Sequence, residues 1–343
     1  MASTFAAAVA FVAVVAVLGG VIGPSPARTI SVVSGPLVTR VDAQLVDIYT
    51  DLYDGRGRAA GTGMVLTPGG DVLTNNHVIE GASTIRATDI GNGQTYVARV
   101  IGYDERRDIA VLALENARGL ATVRFGDSAR VGLGEGIVTI GNAGGIGGAP
   151  AARSGTVIGL SEAITIEDDV SASTEHLDRL IQIDGDLEPG DSGGPMVDGT
   201  GAVIGMDTAA STSFEFSRHT AGQGFAIAID AVKPVAAQIR ARHGSDAIHI
   251  GPTAFIGVDI GSGAAQPAGV IVANAVPGTP AARAGLGYGD VITAIGGTAV
   301  SSPADLTNAL VRYSPGATVA LDWVDRASVE HTAVITLAAG PAA

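Results

Sequence analysis

Cysteine is absent from all 343 residues, and four methionines are the only sulfur the chain carries. That excludes a disulfide scaffold and any thiolate-bound metal. Aromatic residues make up only 4% and charged residues 16%, the latter well under the ~25% of an average soluble domain. Basic side chains are the scarcer sign, 20 Lys and Arg against 34 Asp and Glu, for a net charge of −14. Nucleic acid and anionic lipid are therefore poor partners. Long apolar runs are scarce too. Only Phe5 to Ile22, eighteen residues free of charge, is long enough to cross a membrane core, about 27 Å at ~1.5 Å per residue.

That run reads as a secretory signal or an uncleaved anchor within residues 1–30. Arg28 is the first cation, and Ser25-Pro26-Ala27 offers small residues for a cleavage site, so both readings stay open. In either case the remainder is exported, and any membrane contact runs through this segment alone. Residues 31–44, with Ser34-Gly35-Pro36, read as a tether. The length allows about two domains at ~150 residues each. Hydrophobic residues make up 46%, too much for a disordered chain. Glycine is plentiful, 49 residues with no G-X-Y period, so collagen is excluded.

From Leu45 to Ile229 short apolar segments alternate with Gly, Asn and Asp turns, as in Gly63–Thr67, Asp71–Thr74, Tyr96–Ile101 and Gly136–Gly141. Such spacing predicts an all-β sandwich or barrel over residues 45–243. Val232, Val235, Ala236 and Ile239 recur at helical spacing within Asp230–Arg242, and Gly244 stops the helix. A second region, 244–340, mixes strands (Ala268–Ala273, Asp290–Ile295, Thr318–Trp323, Thr332–Leu337) with two helical pieces. One runs from a Thr279 cap and Pro280 to Gly285; the other, Pro303–Val311, puts Leu306 and Leu310 on one face.

The segment richest in chemistry is Leu187-Glu188-Pro189-Gly190-Asp191-Ser192-Gly193-Gly194-Pro195. Glycines on both sides let the backbone turn sharply, so that one hydroxyl projects and N–H groups converge, as an oxyanion hole requires. The donors expected are the N–H groups of Gly190 and Ser192. A serine hydroxyl needs a base, itself held by a third group. Of six histidines, His77 ends an apolar strand in Thr74-Asn75-Asn76-His77-Val78-Ile79 and is the candidate base. Asp108 opens the apolar strand Ile109-Ala110-Val111-Leu112, where a carboxylate could orient an imidazole. Each of the three is unremarkable alone, and their order carries the argument. The stretch Gly141-Asn142-Ala143-Gly144-Gly145-Ile146-Gly147-Gly148 lacks the Gly-Lys-(Ser/Thr) ending of a phosphate loop. No His-Glu-x-x-His set occurs, so neither a cofactor nor a metal is expected.

In the order His77, Asp108, Ser192 these segments resemble the HtrA family of trypsin-like serine proteases, with its Thr-Asn-x-His-Val, Asp-(Leu/Ile)-Ala-Val-Leu and Gly-(Asp/Asn)-Ser-Gly-Gly signatures. The likeness is greatest to the secreted PepA type of actinobacteria. It implies a mostly β fold, a double six-stranded β-barrel followed by an α+β PDZ domain. It also implies an exported endopeptidase in which His77 is the base, Asp108 orients it and Ser192 attacks. Phe255-Ile256-Gly257-Val258 would form the PDZ carboxylate loop, with Leu306 and Leu310 facing the peptide groove. The implied partners are unfolded or misfolded polypeptides and peptide C-termini. An alternative is a chaperone or sensor in which PDZ binding dominates. Monomer and trimer both stay open. Leu187, Thr208, Ala209, Ala210 and Phe225 would line the substrate pocket, whose small, apolar walls predict an uncharged aliphatic residue before the cut. Asp186, six residues ahead of Ser192, raises Arg or Lys as the competing choice.

Overall fold

A computed structural model of the chain describes residues 34–52, 57–167, 174–185, 187–208, 223–261 and 267–340. The apolar run at 5–22 lies outside them. Among the described residues no helix is long and apolar enough to cross a membrane.

Part of the stretch read as a tether is a helix, α1 (Pro36–Asp42). Pro36 sits in its first turn, where a missing N–H costs nothing. Val38 and Val41 are buried in the same core as Leu45 and Met64. Burial of those two side chains overrides the turn-forming Ser-Gly-Pro that precedes them; burial of Asp42 itself lifts its carboxyl to about 6.

Six strands follow: β1 (Leu45–Leu52), β2 (Arg58–Val65), β3 (Asp71–Thr74), β4 (Ala82–Asp89), β5 (Thr95–Asp104) and β6 (Ile109–Leu114). They pair antiparallel in the order β5-β4-β1-β2-β3-β6, and β5 also pairs β6, which closes the sheet on itself. The second barrel contains β7 (Gly136–Gly141), β8 (Ala151–Glu167), β9 (Thr174–Asp184), β10 (Pro195–Val197), β11 (Val203–Thr208) and β12 (Gln223–Ala228), closed in the order β10-β11-β12-β9-β8-β7. Among the described residues closure pairs every barrel strand on both sides, apart from the end of β5 beyond its pairing with β4.

Alternation along each strand sends every second side chain inward. Val46, Ile48, Val72 and Leu112 fill the first barrel; Ile137, Val157, Ile183 and Met196 fill the second. The opposite faces of several strands contribute Met64, Leu73, Ile109, Ile140, Met206 and Ile227 to a third cluster, the seam between the barrels. Helix α2 (Ile229–Arg240) covers that seam with Val232, Val235, Ala236 and Ile239, the residues its periodicity singles out.

Strand β13 (His249–Ile250) then adds to β5 at Tyr103 and Gly102. The Tyr103 and Thr253 hydroxyls lie 2.7 Å apart, and a His249 ring nitrogen is 3.2 Å from the Val311 carbonyl. The remaining strands are β14 (Ala254–Phe255), β15 (Val258–Ile260), β16 (Val270–Ala275), β17 (Val291–Ile295), β18 (Thr298–Ala299), β19 (Thr318–Val324), β20 (Glu330–Thr336) and β21 (Ala338–Ala339). Two helices accompany them, α3 (Pro280–Ala284) and α4 (Pro303–Leu310). Thr279 accepts the cap hydrogen bond expected of it, from Ala282 N–H, and Ser302 likewise accepts from Asp305 N–H. The main sheet runs β15-β16-β17-β19-β20, with its own core around Ile256, Val272, Ile292, Leu306, Leu321 and Trp323.

Candidate active site

Asp108 reaches the seam from a tight turn. The Asp104 carboxylate accepts Arg107 N–H at 3.1 Å and pairs with the Arg107 guanidinium at 2.7 Å, which fixes the turn Glu105–Arg107. Asp108 then leaves it in the left-handed region, φ +53, a conformation that aspartate tolerates better than most residues. Its side chain is buried and accepts two bonds from the His77 segment. Oδ1 takes the His77 backbone N–H at 3.0 Å; Oδ2 lies 2.8 Å from His77 Nδ1. Thr208 Oγ1 approaches Oδ2 at 3.4 Å, and Asn75 Nδ2 donates to the Asp108 carbonyl at 2.9 Å. The carboxylate side chain is 3% exposed and the imidazole 32%. Thus the acid is sealed inside while the ring meets solvent at one edge, the arrangement an orienting carboxylate and a working base require.

Ser192 stands on the loop between β9 and β10. Thr62 of β2 stitches that loop to the first barrel: its N–H donates to the Ser192 carbonyl at 2.8 Å, and its hydroxyl donates to the Gly190 carbonyl at 2.7 Å. The same hydroxyl accepts Asn142 N–H at 2.9 Å, and Thr74 Oγ1 donates to the Thr62 carbonyl at 2.7 Å. One threonine therefore ties the strand leading into His77 to the loop carrying Ser192.

Peptide orientation at Gly190 is settled by its neighbours. The Pro189 carbonyl accepts Gly144 N–H at 2.7 Å. A trans peptide sets C=O and N–H on opposite sides, so Gly190 N–H points away from Gly144. Likewise the Asp191 carbonyl accepts Gly194 N–H at 2.9 Å, which turns Ser192 N–H away from Gly194. Gly190 has φ +101, and a Cβ there would strike the Asn142 carbonyl. Gly190→Ala is expected to rotate this peptide and to cost about 10²–10³-fold in kcat, the usual price of one oxyanion donor. Steady-state kinetics on a peptide substrate check this; a loss below tenfold would contradict it.

The expected pocket residues divide. Leu187 lies against Gly224, with its Cγ at 2.8 Å from where a Gly224 Cβ would be, and shares the second barrel's core with Ala226. Phe225 is on the opposite face of β12 and belongs to the seam cluster instead. Strand alternation turns Phe225 away from the face of β12 on which Leu187 packs. Thr208 is fully buried and spends its hydroxyl on Asp108. Ala209, Ala210 and Asp186 lie outside the described residues.

Of two further acids here, Asp191 is legible in the sequence only as part of Gly190-Asp191-Ser192-Gly193-Gly194, and Asp207 carries no signal there. Asp207 on β11 is 0% exposed, and neither of its carboxylate oxygens has a hydrogen-bond partner. Burial, reinforced by the charge of Asp191, pushes its carboxyl well above the usual carboxylate range. Asp191 is raised to about 6 by burial, against the pull of Glu188 N–H and Arg153.

A raised acid pKa means that the folded state holds a proton which the unfolded state gives up. The stability it contributes is complete below the ordinary value of 3.8 and is lost as pH rises toward the folded value. One such proton costs up to ~1.4 kcal/mol per pH unit. Asp42, Asp47 and Asp191, each raised to about 6, share in that fall, and Asp207 adds to it. Asp207→Asn is expected to flatten the fall of the urea midpoint as pH rises above the ordinary carboxylate value of 3.8. Equal slopes in both proteins would contradict the assignment.

In the C-terminal region Gly257, at φ +83, turns the chain between β14 and β15 against the Thr279 side chain. Ile256 and Val276 anchor the turn: Ala281 N–H donates to the Ile256 carbonyl at 2.8 Å and Val276 N–H to the Gly257 carbonyl at 3.0 Å. Ile256 and Leu306 are buried in one core, and Val258 and Leu310 pack partly exposed against it. Phe255 pairs with Ala338 in a separate two-stranded sheet. Strand β15 is an outer strand of its sheet among the described residues.

Two closed antiparallel barrels, the first holding the Asp108–His77 pair and tied through Thr62 to the loop of Ser192, define a trypsin-like peptidase fold, here joined to a PDZ-like unit. The family of trypsin-like peptidase domains matches residues 61–206, and the PDZ domain family matches residues 244–337. A DegP-like periplasmic serine endoprotease of Brucella suis biovar 1 is 35% identical over 289 residues, 82% of this chain and 53% of its own length. The chloroplastic protease Do-like 1 of Arabidopsis thaliana is 32% identical over 298 residues, 83% of this chain and 64% of its own. The structure of the HtrA-type protease AlgW with a tripeptide superposes with a TM-score of 0.52 at 26% identity, covering 89% of this chain and 96% of that one. The chain belongs to the HtrA family of serine proteases. It spans between half and two thirds of the length of those two relatives.

Proposed function

We propose that the protein is an exported serine endopeptidase that cleaves unfolded or misfolded polypeptides and reads peptide C-termini through its PDZ domain. The observation that carries this reading is the buried Asp108 carboxylate 2.8 Å from His77 Nδ1, with the Ser192 loop bound to the same barrel through Thr62. His77 takes the Ser192 proton as the hydroxyl attacks a peptide carbonyl. Asp108 holds the tautomer that leaves Nε2 able to accept, and it balances the imidazolium that forms. Negative charge on the carbonyl oxygen is met by the N–H groups of Gly190 and Ser192. The imidazolium then returns its proton to the leaving amine, and water repeats the sequence on the acyl-enzyme.

An incoming peptide would add as a strand to β15, its carboxylate on the turn at Gly257 and its last side chain toward Val258 and Leu310. Leu187 against Gly224 supports an apolar residue before the cut. Export agrees with the apolar run at 5–22 and with the periplasmic relative. The test is covalent labelling of the full chain by an organophosphonate. Wild type is expected to gain one adduct, mapped to Ser192 by peptide mass, and to hydrolyse casein. A folded wild-type chain that neither labels nor cleaves would overturn the reading.

A further inference from the structure

Arg153 lies on β8, far in sequence from His77, Asp108 and Ser192, yet it is buried at 9% exposure. Its guanidinium forks. One nitrogen lies 2.9 Å from Asp191 Oδ2; the other lies 2.8 Å from Glu188 Oε1. Asp191 Oδ2 also accepts Glu188 N–H at 2.9 Å, and Asp191 N–H donates to the Glu188 carbonyl at the same distance. The fork therefore closes on a loop that is already folded back on itself. Asp191 is the residue between Gly190 and Ser192, the two expected oxyanion donors. A backbone rotation that carried its side chain off Arg153 would turn one of the peptides beside those N–H groups.

The charges around this spot make the arginine necessary. Asp191 is faced by Glu188 on its own loop, Arg153 on β8 and the sealed carboxyl of Asp207 on β11. Three acids meet one cation. Asp191 Oδ1 has no hydrogen-bond partner and lies against Gly141, so only Oδ2 is compensated. A buried carboxylate stripped of its counter-charge must take a proton or move toward water. A movement of the loop that brought it to water would carry Gly190 and Ser192 with it. The Glu188 arm is half exposed and screened by solvent, which leaves the Asp191 arm as the working contact. A planar guanidinium can serve both acids at once, as an ammonium cannot.

We propose that Arg153 is a positioning residue for the Ser192 loop, holding Asp191 so that the N–H groups of Gly190 and Ser192 stay turned toward the reacting carbonyl; this rests on the proteolytic reading above. Arg153 touches no substrate. Its effect should fall on the chemical step rather than on binding.

The test compares wild type, R153Q, and R153Q combined with D191N, all in the full chain, on one quenched peptide with melting curves alongside. R153Q is expected to lose about 100-fold in kcat, as for one misplaced oxyanion donor, with KM within about threefold. The double variant leaves no bare carboxylate, so it is expected to recover about tenfold of that loss while remaining at least fivefold below wild type. Wild-type kcat in R153Q, or a double variant no better than R153Q, overturns the proposal. Should R153Q not fold, the double variant decides alone. In that case a loss of about fivefold or more at unchanged KM supports the proposal, and full activity overturns it. A wild-type chain inert to both peptide and organophosphonate defeats the proteolytic reading. An active wild type with an indifferent Arg153 defeats only this one.

Discussion

Ser192→Ala is expected to lower kcat for peptide hydrolysis by about a millionfold, the loss seen when a nucleophile is taken from a complete triad. The fold should survive. Ser192 is held through its backbone carbonyl by Thr62 N–H, and the turn around it depends on Gly190 and Gly193 at positive φ. None of those features involves the hydroxyl. The residue itself is outside the positive-φ set, so alanine meets no backbone strain, and removing one oxygen at a site 4% exposed leaves little to collapse. A residual rate of about 10³–10⁴ over water should persist, because the substitution leaves in place the Gly190 and Ser192 N–H groups proposed as oxyanion donors. Three measurements together check the prediction: kcat on a quenched peptide, loss of the organophosphonate adduct, and a melting midpoint within a few degrees of wild type. Binding of C-terminal peptides to residues 244–340 should be unchanged. A variant with more than about 1% of wild-type kcat would mean that another group attacks.

The parts of this site that could be read from sequence are those whose signals are local. Gly190-Asp191-Ser192-Gly193-Gly194 shows its turn in its own composition. Asp108 is conspicuous as an acid at the mouth of an apolar strand, and His77 as a polar residue at the end of one. The strands Asp71–Thr74 and Gly136–Gly141 begin and end where the apolar runs do, and the cap at Thr279 with its exit at Gly285 falls as expected. Other strands extend past their apolar runs: β2 starts at Arg58 rather than Gly63, and β5 continues to Asp104. There the ladder to a neighbouring strand, not hydropathy, sets the length.

What could not be read depends on chain segments meeting across the fold. Arg153 is one arginine on a strand, 38 residues from its partner Asp191; nothing nearby marks it. Asp207 reads as a polar break in an apolar strand until closure of the second barrel seals it in. Phe225, expected in the pocket with Leu187, lies in the seam cluster instead, because a single step along β12 reverses the face a side chain shows. The helix over Pro36–Asp42 was hidden for a related reason. Seven residues are too few to be stable as a helix alone, and only the core beneath Val38 and Val41 makes it one.

Asp108→Asn is expected to reduce kcat by about 10⁴-fold with KM little changed. The carboxylate accepts with both oxygens at once, from His77 N–H at 3.0 Å and from Nδ1 at 2.8 Å. An amide has one acceptor and one donor group. If its oxygen takes the backbone N–H, its NH₂ faces Nδ1 and the ring must carry its proton on Nε2, the atom that has to receive the serine proton. If it is turned round, its oxygen can still accept from Nδ1–H, but its NH₂ meets the backbone N–H and that bond is lost. The first arrangement costs less, so asparagine should lock His77 in the tautomer that cannot act as the base. Structure should tolerate the change. Asparagine is isosteric, accepts φ +53 as readily as aspartate does, and keeps the carbonyl that Asn75 Nδ2 reaches at 2.9 Å. The decisive comparison is with the organophosphonate, whose reaction also needs the serine proton removed. Its labelling rate should fall in step with kcat while the melting midpoint stays within a few degrees. Labelling at the wild-type rate would mean that Asp108 only braces the turn, because a carboxylate serving the fold alone has no effect on how fast Ser192 reacts.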